Sequence, residues 1–274
     1  MSTADPNLPL DAPTPDGPTA APNARGTPAE SRVAMTPIPT RRSLLWMLTL
    51  AAGVLAGVGS WLAGETETLE VIPKQVLVQA MGGPRMEATT ATERIANDQT
   101  AVRVFGVFGA AMGLALGLAG GLAGHSPRRS GIAAGVGLVV GGVVGALAPL
   151  VVLPIFHRAG RAGSDDMIAA MLMHAGLWMG VGAVSGLAFG IGLGGRKRLV
   201  ASIIGGAVGA VIGAIVYEFV GAIAFPLDKT ASPISMTWQS RLLARLLIAT
   251  SAAVGIALAV ADRREASASS PPAP

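Results

Sequence analysis

Apolar positions in this chain come in long uninterrupted blocks, without the alternation of a half-buried strand or the single stripe of a soluble helix. Six blocks, near 43–64, 101–124, 131–156, 167–194, 199–224 and 242–261, are apolar almost throughout. At about 20 residues each they can cross a hydrocarbon layer of roughly 30 Å as helices. Barrel strands are excluded, because their lipid-facing and lumen-facing residues alternate. The expected fold is all-α: a polytopic integral membrane protein whose six transmembrane helices form one domain over 43–261.

The polar blocks predict what lies between and beyond. Residues 1–42 are rich in Pro, Ser, Thr and Ala and lack the apolar surface needed to fold, so they read as a disordered tail, as does 262–274. Residues 65–100 form the one sizeable hydrophilic loop. Within it 71–81 suits a short surface helix or strand interrupted by Pro73, and Gly82, Gly83 and Pro84 end it. From Thr89 to Arg103 good helix formers extend the second span outward as a polar stalk. Pro149 and Pro154 predict a kink in the third span.

Glycine patterning adds an internal repeat. Gly113, Gly117 and Gly121 precede Arg128 and Arg129, and Gly137, Gly141 and Gly145 follow them. Gly182, Gly186 and Gly190 precede Arg196, Lys197 and Arg198, and Gly205, Gly209 and Gly213 follow. The pattern reads as a parallel duplication of a glycine-rich helical hairpin. Gly182 lies 69 residues after Gly113 and Gly205 lies 68 after Gly137, which implies one residue lost near the turn. Lipid supplies no hydrophobic drive between helices, so small side chains promote association by letting backbones approach. These glycines are therefore assigned to helix packing as a glycine zipper. None is a nucleotide fingerprint: Gly194 and Gly195 precede Arg196, Lys197 and Arg198 without the strand and Lys-Ser or Lys-Thr pair a P-loop needs.

Composition agrees with a bilayer: 51% of the residues are hydrophobic and 13% charged, with 37 glycines. The net charge of +4 matters through its placement. Arg41 and Arg42, Arg128 and Arg129, Arg196 to Arg198, and Arg263 and Arg264 occupy alternate span ends. The positive-inside rule puts those ends, with both termini, in the cytoplasm, and composition points to a bacterial inner membrane. Arg41 and Arg42 also resemble a twin-arginine export signal, but a full-length span follows, as expected of an anchor. The arginine clusters are too short to indicate nucleic acid and would attract anionic lipid headgroups.

Three ionisable side chains fall inside the spans, His174, Glu218 and Arg245, each about seven residues, or roughly 10 Å, below its outer boundary. Intramembrane charges are costly unless paired, and they mark candidate sites. With Tyr217 and Trp178 they form a candidate polar cluster near the outer face. It can be a Glu218–Arg245 bridge fixing helix register, with His174 bonded to a carbonyl, or a site for a small anion or a proton relay. The absence of cysteine removes thiolate chemistry, and no spacing suggests a metal, a cofactor or a catalytic triad. The chain is thus not read as an enzyme. Its expected role is structural or accessory, with lipid, other membrane proteins or further copies of itself as partners. The alternative is a small-solute or ion transporter using the polar cluster.

Overall fold

The structure, a computed structural model, describes residues 41–66, 69–81, 83–161, 166–226, 228 and 232–268. The expected tail over 1–40 and the last residues, 269–274, lie outside them. Helices α1 (Arg41–Gly64), α2 (Thr90–Ala123), α3 (Pro127–Arg161), α4 (Asp166–Leu193), α5 (Arg196–Ala224) and α6 (Trp238–Ala268) make up the fold, with one hairpin of β1 (Gln75–Ala80) and β2 (Gly83–Ala88). All six helices are long and apolar enough to cross a membrane. α6 runs past the boundary expected at 261, because Ala, Arg and Glu in its last turns are strong helix formers.

The hydrophilic loop divides as its composition directs. β1 and β2 pair antiparallel, Gln75 opposite Ala88 and Ala80 opposite Gly83, so the segment after residue 82 forms a second strand where the sequence shows only a terminator. Gly83 holds φ at 108°, a left-handed turn conformation that favours glycine. Thr89 then opens α2 with a reciprocal capping box to Thr92, and the polar residues that follow form the expected stalk of one continuous helix. α3 continues through both Pro149 and Pro154.

α4 is the central helix, 61% buried over its most apolar window, and α3 the most peripheral at 28%. α2 packs on α3 and α4, α4 on α3 and α5, and α5 on α6, while α1 lies against α6 and α2. The centre is filled by side chains: Phe105, Phe108, Met112 and Leu116 from α2, Leu177, Val181 and Phe189 from α4, and Ile248 and Ile256 from α6 are buried.

Around that centre the helices cross at small residues. In α2–α3 Gly109 faces Gly141, Gly113 faces Gly137, Gly117 faces Ala133 and Gly121 faces Ser130, while Gly145 meets the Phe105 carbonyl. A Cβ on Gly113 would lie 2.9 Å from the Cα of Gly137, closer than real Cβ atoms come. In α4–α5 Gly182 faces Gly206, Gly186 faces Ser202 and Gly190 faces Leu199. Those three contacts are Gly113–Gly137, Gly117–Ala133 and Gly121–Ser130 with 69 added to every number. The packing therefore keeps one offset on both sides of the turn, against the expected lost residue. Gly205, Gly209 and Gly213, matched in sequence to the 137 stripe, face α6 instead, at Gly255, Ser251 and Ile248. Consecutive helical residues point about 100° apart, so a one-residue shift of stripe selects a different neighbour.

Candidate functional site

The polar side chains gather where α4, α5 and α6 reach the end that carries the β-hairpin. His174 and Trp178 stand one turn apart on α4, Tyr217 and Glu218 adjoin on α5, and Arg241 and Arg245 stand one turn apart on α6. Residues 232–236, before α6, lie against them. His174 is buried, its Nδ1 against Oε1 of Glu218 and its Nε2 3.2 Å from the Ser232 carbonyl. A carbonyl only accepts, so Nε2 carries a proton. His174 Nδ1 and Glu218 Oε1 lie within ion-pair distance of each other, and neither has a hydrogen-bond partner among the described residues. Two facing lone pairs would repel, so the contact requires a proton on one of the two groups. Imidazolium with carboxylate, or neutral imidazole with carboxylic acid, both leave the pair neutral overall, which is how a membrane interior accommodates it.

Aromatic groups wall the pair. The Tyr217 ring stands edge-on to His174 at 6.2 Å, and the Tyr217 hydroxyl bonds Ser235 Oγ. Trp178 packs on Phe105 at 4.5 Å and edge-on to Phe108 at 5.0 Å, its Nε1 buried without a hydrogen-bond partner among the described residues. His174, Trp178, Tyr217, Ser235 and Arg245 line a cavity of about 30 Å³, enough for one or two waters.

Arg245 does not pair with Glu218, contrary to the expected bridge. It is 4% exposed and its Nη1 donates to the Ser60 carbonyl of α1. The two groups share a depth, but Glu218 faces α4 whereas Arg245 faces α1. Gly64 makes the room: a Cβ there would fall 2.7 Å from Cζ of Arg245. Arg241 holds Glu65 in a bidentate pair at 2.7 and 2.6 Å, and its Nη1 donates to the Ser235 and Met236 carbonyls. The hydrogen bond from Arg241 holds the Glu65 carboxyl below its ordinary value, against a smaller opposing effect of burial. The sequence places Glu65 only at the start of the hydrophilic loop over 65–100 and gives no signal for this pair.

The strap over the cluster is itself fixed by Asp228. Its carboxylate accepts from the Met236 and Thr237 amides at 3.1 and 3.3 Å, from Thr237 Oγ1 at 2.9 Å and from Ser240 Oγ, which fixes the approach to α6, whose first turn Thr237 caps by accepting from the Ser240 amide at 3.4 Å. Burial raises the Asp228 carboxyl, but these hydrogen bonds outweigh it and the net shift is downward. Above the strap lies a larger vestibule of about 560 Å³, lined by residues of α1, α2, the strap and α6, among them Glu65, Glu93, Thr100, Ser235, Arg241 and Arg245. Among the described residues no group of His, Asp and Glu has the geometry to hold a metal ion. Comparison with family models, curated proteins and solved structures yields no match, so any functional reading rests on this geometry.

Proposed function

We propose that the protein is a structural or accessory component of a membrane, a dry six-helix pack whose polar end carries contacts to partners. One observation carries this reading: the α2–α3, α4–α5 and α5–α6 pairs meet at small residues with backbone against backbone, around a centre filled by apolar side chains. Such contact supplies the van der Waals attraction that holds helices together in lipid. In the same proposal the hairpins containing α2 with α3 and α4 with α5 descend from one parallel duplication, and the arginine-bearing ends with both termini face the cytoplasm of a bacterium. The alternative, a small-solute or ion transporter, draws support from the vestibule standing above the neutral His174–Glu218 pair.

Cysteine accessibility separates the two, and the chain has no native cysteine to interfere. Glycines at the crossings are unsuitable sites, because any Cβ there collides. Ala210 and Ala252, both fully buried, serve instead, with exposed Thr90 as control. In cells, a membrane-impermeant thiol reagent should modify Thr90→Cys and leave Ala210→Cys and Ala252→Cys unreacted. Labelling at either alanine in folded protein would reveal an aqueous path and favour transport.

A further inference from the structure

Arg245 is the charge that the packing leaves unanswered. Among the described residues no carboxylate lies within ion-pair distance of it, and its one hydrogen bond goes to a neutral acceptor, the Ser60 carbonyl. The nearby acid, Glu65, is already engaged on both oxygens by Arg241. A guanidinium so deeply buried within a membrane helix is costly without a counter-charge. It also lines the vestibule, whose volume of about 560 Å³ falls among those of small-molecule sites. The Gly64 notch and the Ser60 carbonyl fix the guanidinium from the α1 side, while Asn97, Thr100 and Ser235 offer hydrogen bonds and Leu69, Val104 and Ile234 an apolar wall.

We propose that Arg245 makes this vestibule a binding site for a small oxyanion, a carboxylate or phosphate group held by the planar guanidinium. The fork of N–H groups on arginine matches two oxygens of either group. Glu70 and Glu93, also on the lining, oppose the anion and set its affinity without contacting Arg245 as ion pairs. The site is independent of the accessory reading: a dry helix pack can carry a ligand at its polar end.

The test uses full-length protein in nanodiscs of phosphatidylcholine, titrated with benzoate and, separately, with inorganic phosphate. Tryptophan fluorescence gives the readout, because Trp61 of α1 and Trp238 of α6, the helices that bring Gly64 and Arg245 to the vestibule, pack together at 6.0 Å, and Trp61 Nε1 donates to the Trp238 carbonyl. Saturable binding is expected, weakened about tenfold or more in Arg245→Gln, since hydrogen bonds to a charged group contribute about 1.5–3 kcal/mol. Gly64→Ala, which must displace the guanidinium, should weaken it too, and Glu70→Gln with Glu93→Gln should strengthen it several-fold. If neither probe binds but phosphatidylglycerol added to the nanodiscs is retained through native mass spectrometry by wild type and lost in Gly64→Ala, the oxyanion is a lipid headgroup. The proposal is overturned if no probe saturates and no anionic lipid is retained, or if binding is unchanged in both Gly64→Ala and the Glu70, Glu93 pair. Those variants decide the matter even if Arg245→Gln does not fold.

Discussion

Adding one methyl group at Gly113 tests whether the helices touch as closely as the geometry requires. A Cβ there would sit 2.5 Å from the carbonyl carbon of Gly137 and 2.9 Å from its Cα, so α2 and α3 must separate or shift. Overpacking of this kind destabilises by about 1–3 kcal/mol. Ala also gains roughly 0.8–1 kcal/mol over Gly in a helix, which offsets part of the loss. Gly113→Ala should therefore destabilise by up to about 2 kcal/mol net. Gly135, on the exposed face of α3 with nothing within 4 Å of its would-be Cβ, provides the same substitution without the collision. Gly135→Ala should stabilise by up to about 1 kcal/mol. Both are measured by equilibrium unfolding in mixed micelles with increasing dodecyl sulfate, followed by circular dichroism. The helix-propensity gain is common to both, so the expected gap between the two variants is the overpacking cost, about 1–3 kcal/mol. Equal stabilities for Gly113→Ala and Gly135→Ala would refute backbone contact at this crossing. Gly137→Ala should add less in the Gly113→Ala background than alone, since helices already spread have room for the second methyl.

Four further outcomes follow from named contacts. A double-mutant cycle should find coupling between Gly182→Ala and Gly206→Ala, and between Gly205→Ala and Gly255→Ala, but none between Gly182→Ala and Gly205→Ala; the reverse would restore the offset expected from sequence. Glu218→Gln should destabilise less than Glu218→Ala, because a glutamine amide can donate to His174 Nδ1, whereas alanine leaves it buried and unpaired at about 1–3 kcal/mol; the combined swap Glu218→Arg, Arg245→Glu should recover nothing in the same unfolding assay. Because the folded-state value of Glu65 lies below its ordinary 4.5, the Arg241 link contributes stability above that pH and loses it as pH falls through the lowered value; Glu65→Gln should remove up to about 1 kcal/mol of that acid-side loss, read from unfolding midpoints across pH. Asp228→Ala should loosen the strap and the start of α6 at about 0.5–2 kcal/mol, seen as faster amide exchange at Met236 and Thr237.

What sequence could reveal depended on whether a feature leaves a periodic trace. The six helices did, because a bilayer requires about 20 apolar residues in a row and few other structures tolerate them. The glycine stripes through Gly113 and Gly182 were equally visible, but the partner of each stripe was not. α5 carries two adjacent stripes, one through Gly205 and Gly209 and one through Gly206 and Ala210, and only three-dimensional packing assigns the first to α6 and the second to α4. The candidate cluster was legible as a shared depth for His174, Glu218 and Arg245. Depth does not say which way a side chain faces, so the Glu218–Arg245 pairing failed. Backbone acceptors, the Ser60 and Ser232 carbonyls, have no side-chain signature at all. β2 went unread because Gly83 and Pro84 break strand patterns, yet a two-stranded ribbon is all edge, where proline is tolerated.

The placement of polar groups follows from the glycine contacts. α4 and α5 touch through backbone from Gly182–Gly206 to Gly190–Leu199, a stretch that ends near the arginine-bearing turn. Two turns further along α4, roughly 12 Å away, the contact between the same helices is made by the His174 and Glu218 side chains. A pair of large groups meeting side chain to side chain cannot occupy an interface as tight as Gly182–Gly206, so polar chemistry is confined to the end where the helices stand apart. Trp178 and Tyr217 fill the volume there, and the strap from Ser232 to Met236 closes it against the vestibule. The His174–Glu218 contact therefore joins two helices that are held together at their opposite ends by glycine. Packing at one end and the polar contact at the other are thus parts of one interface, and Glu218→Ala, which removes the contact at the polar end, leaves the Gly182–Gly206 crossing in place.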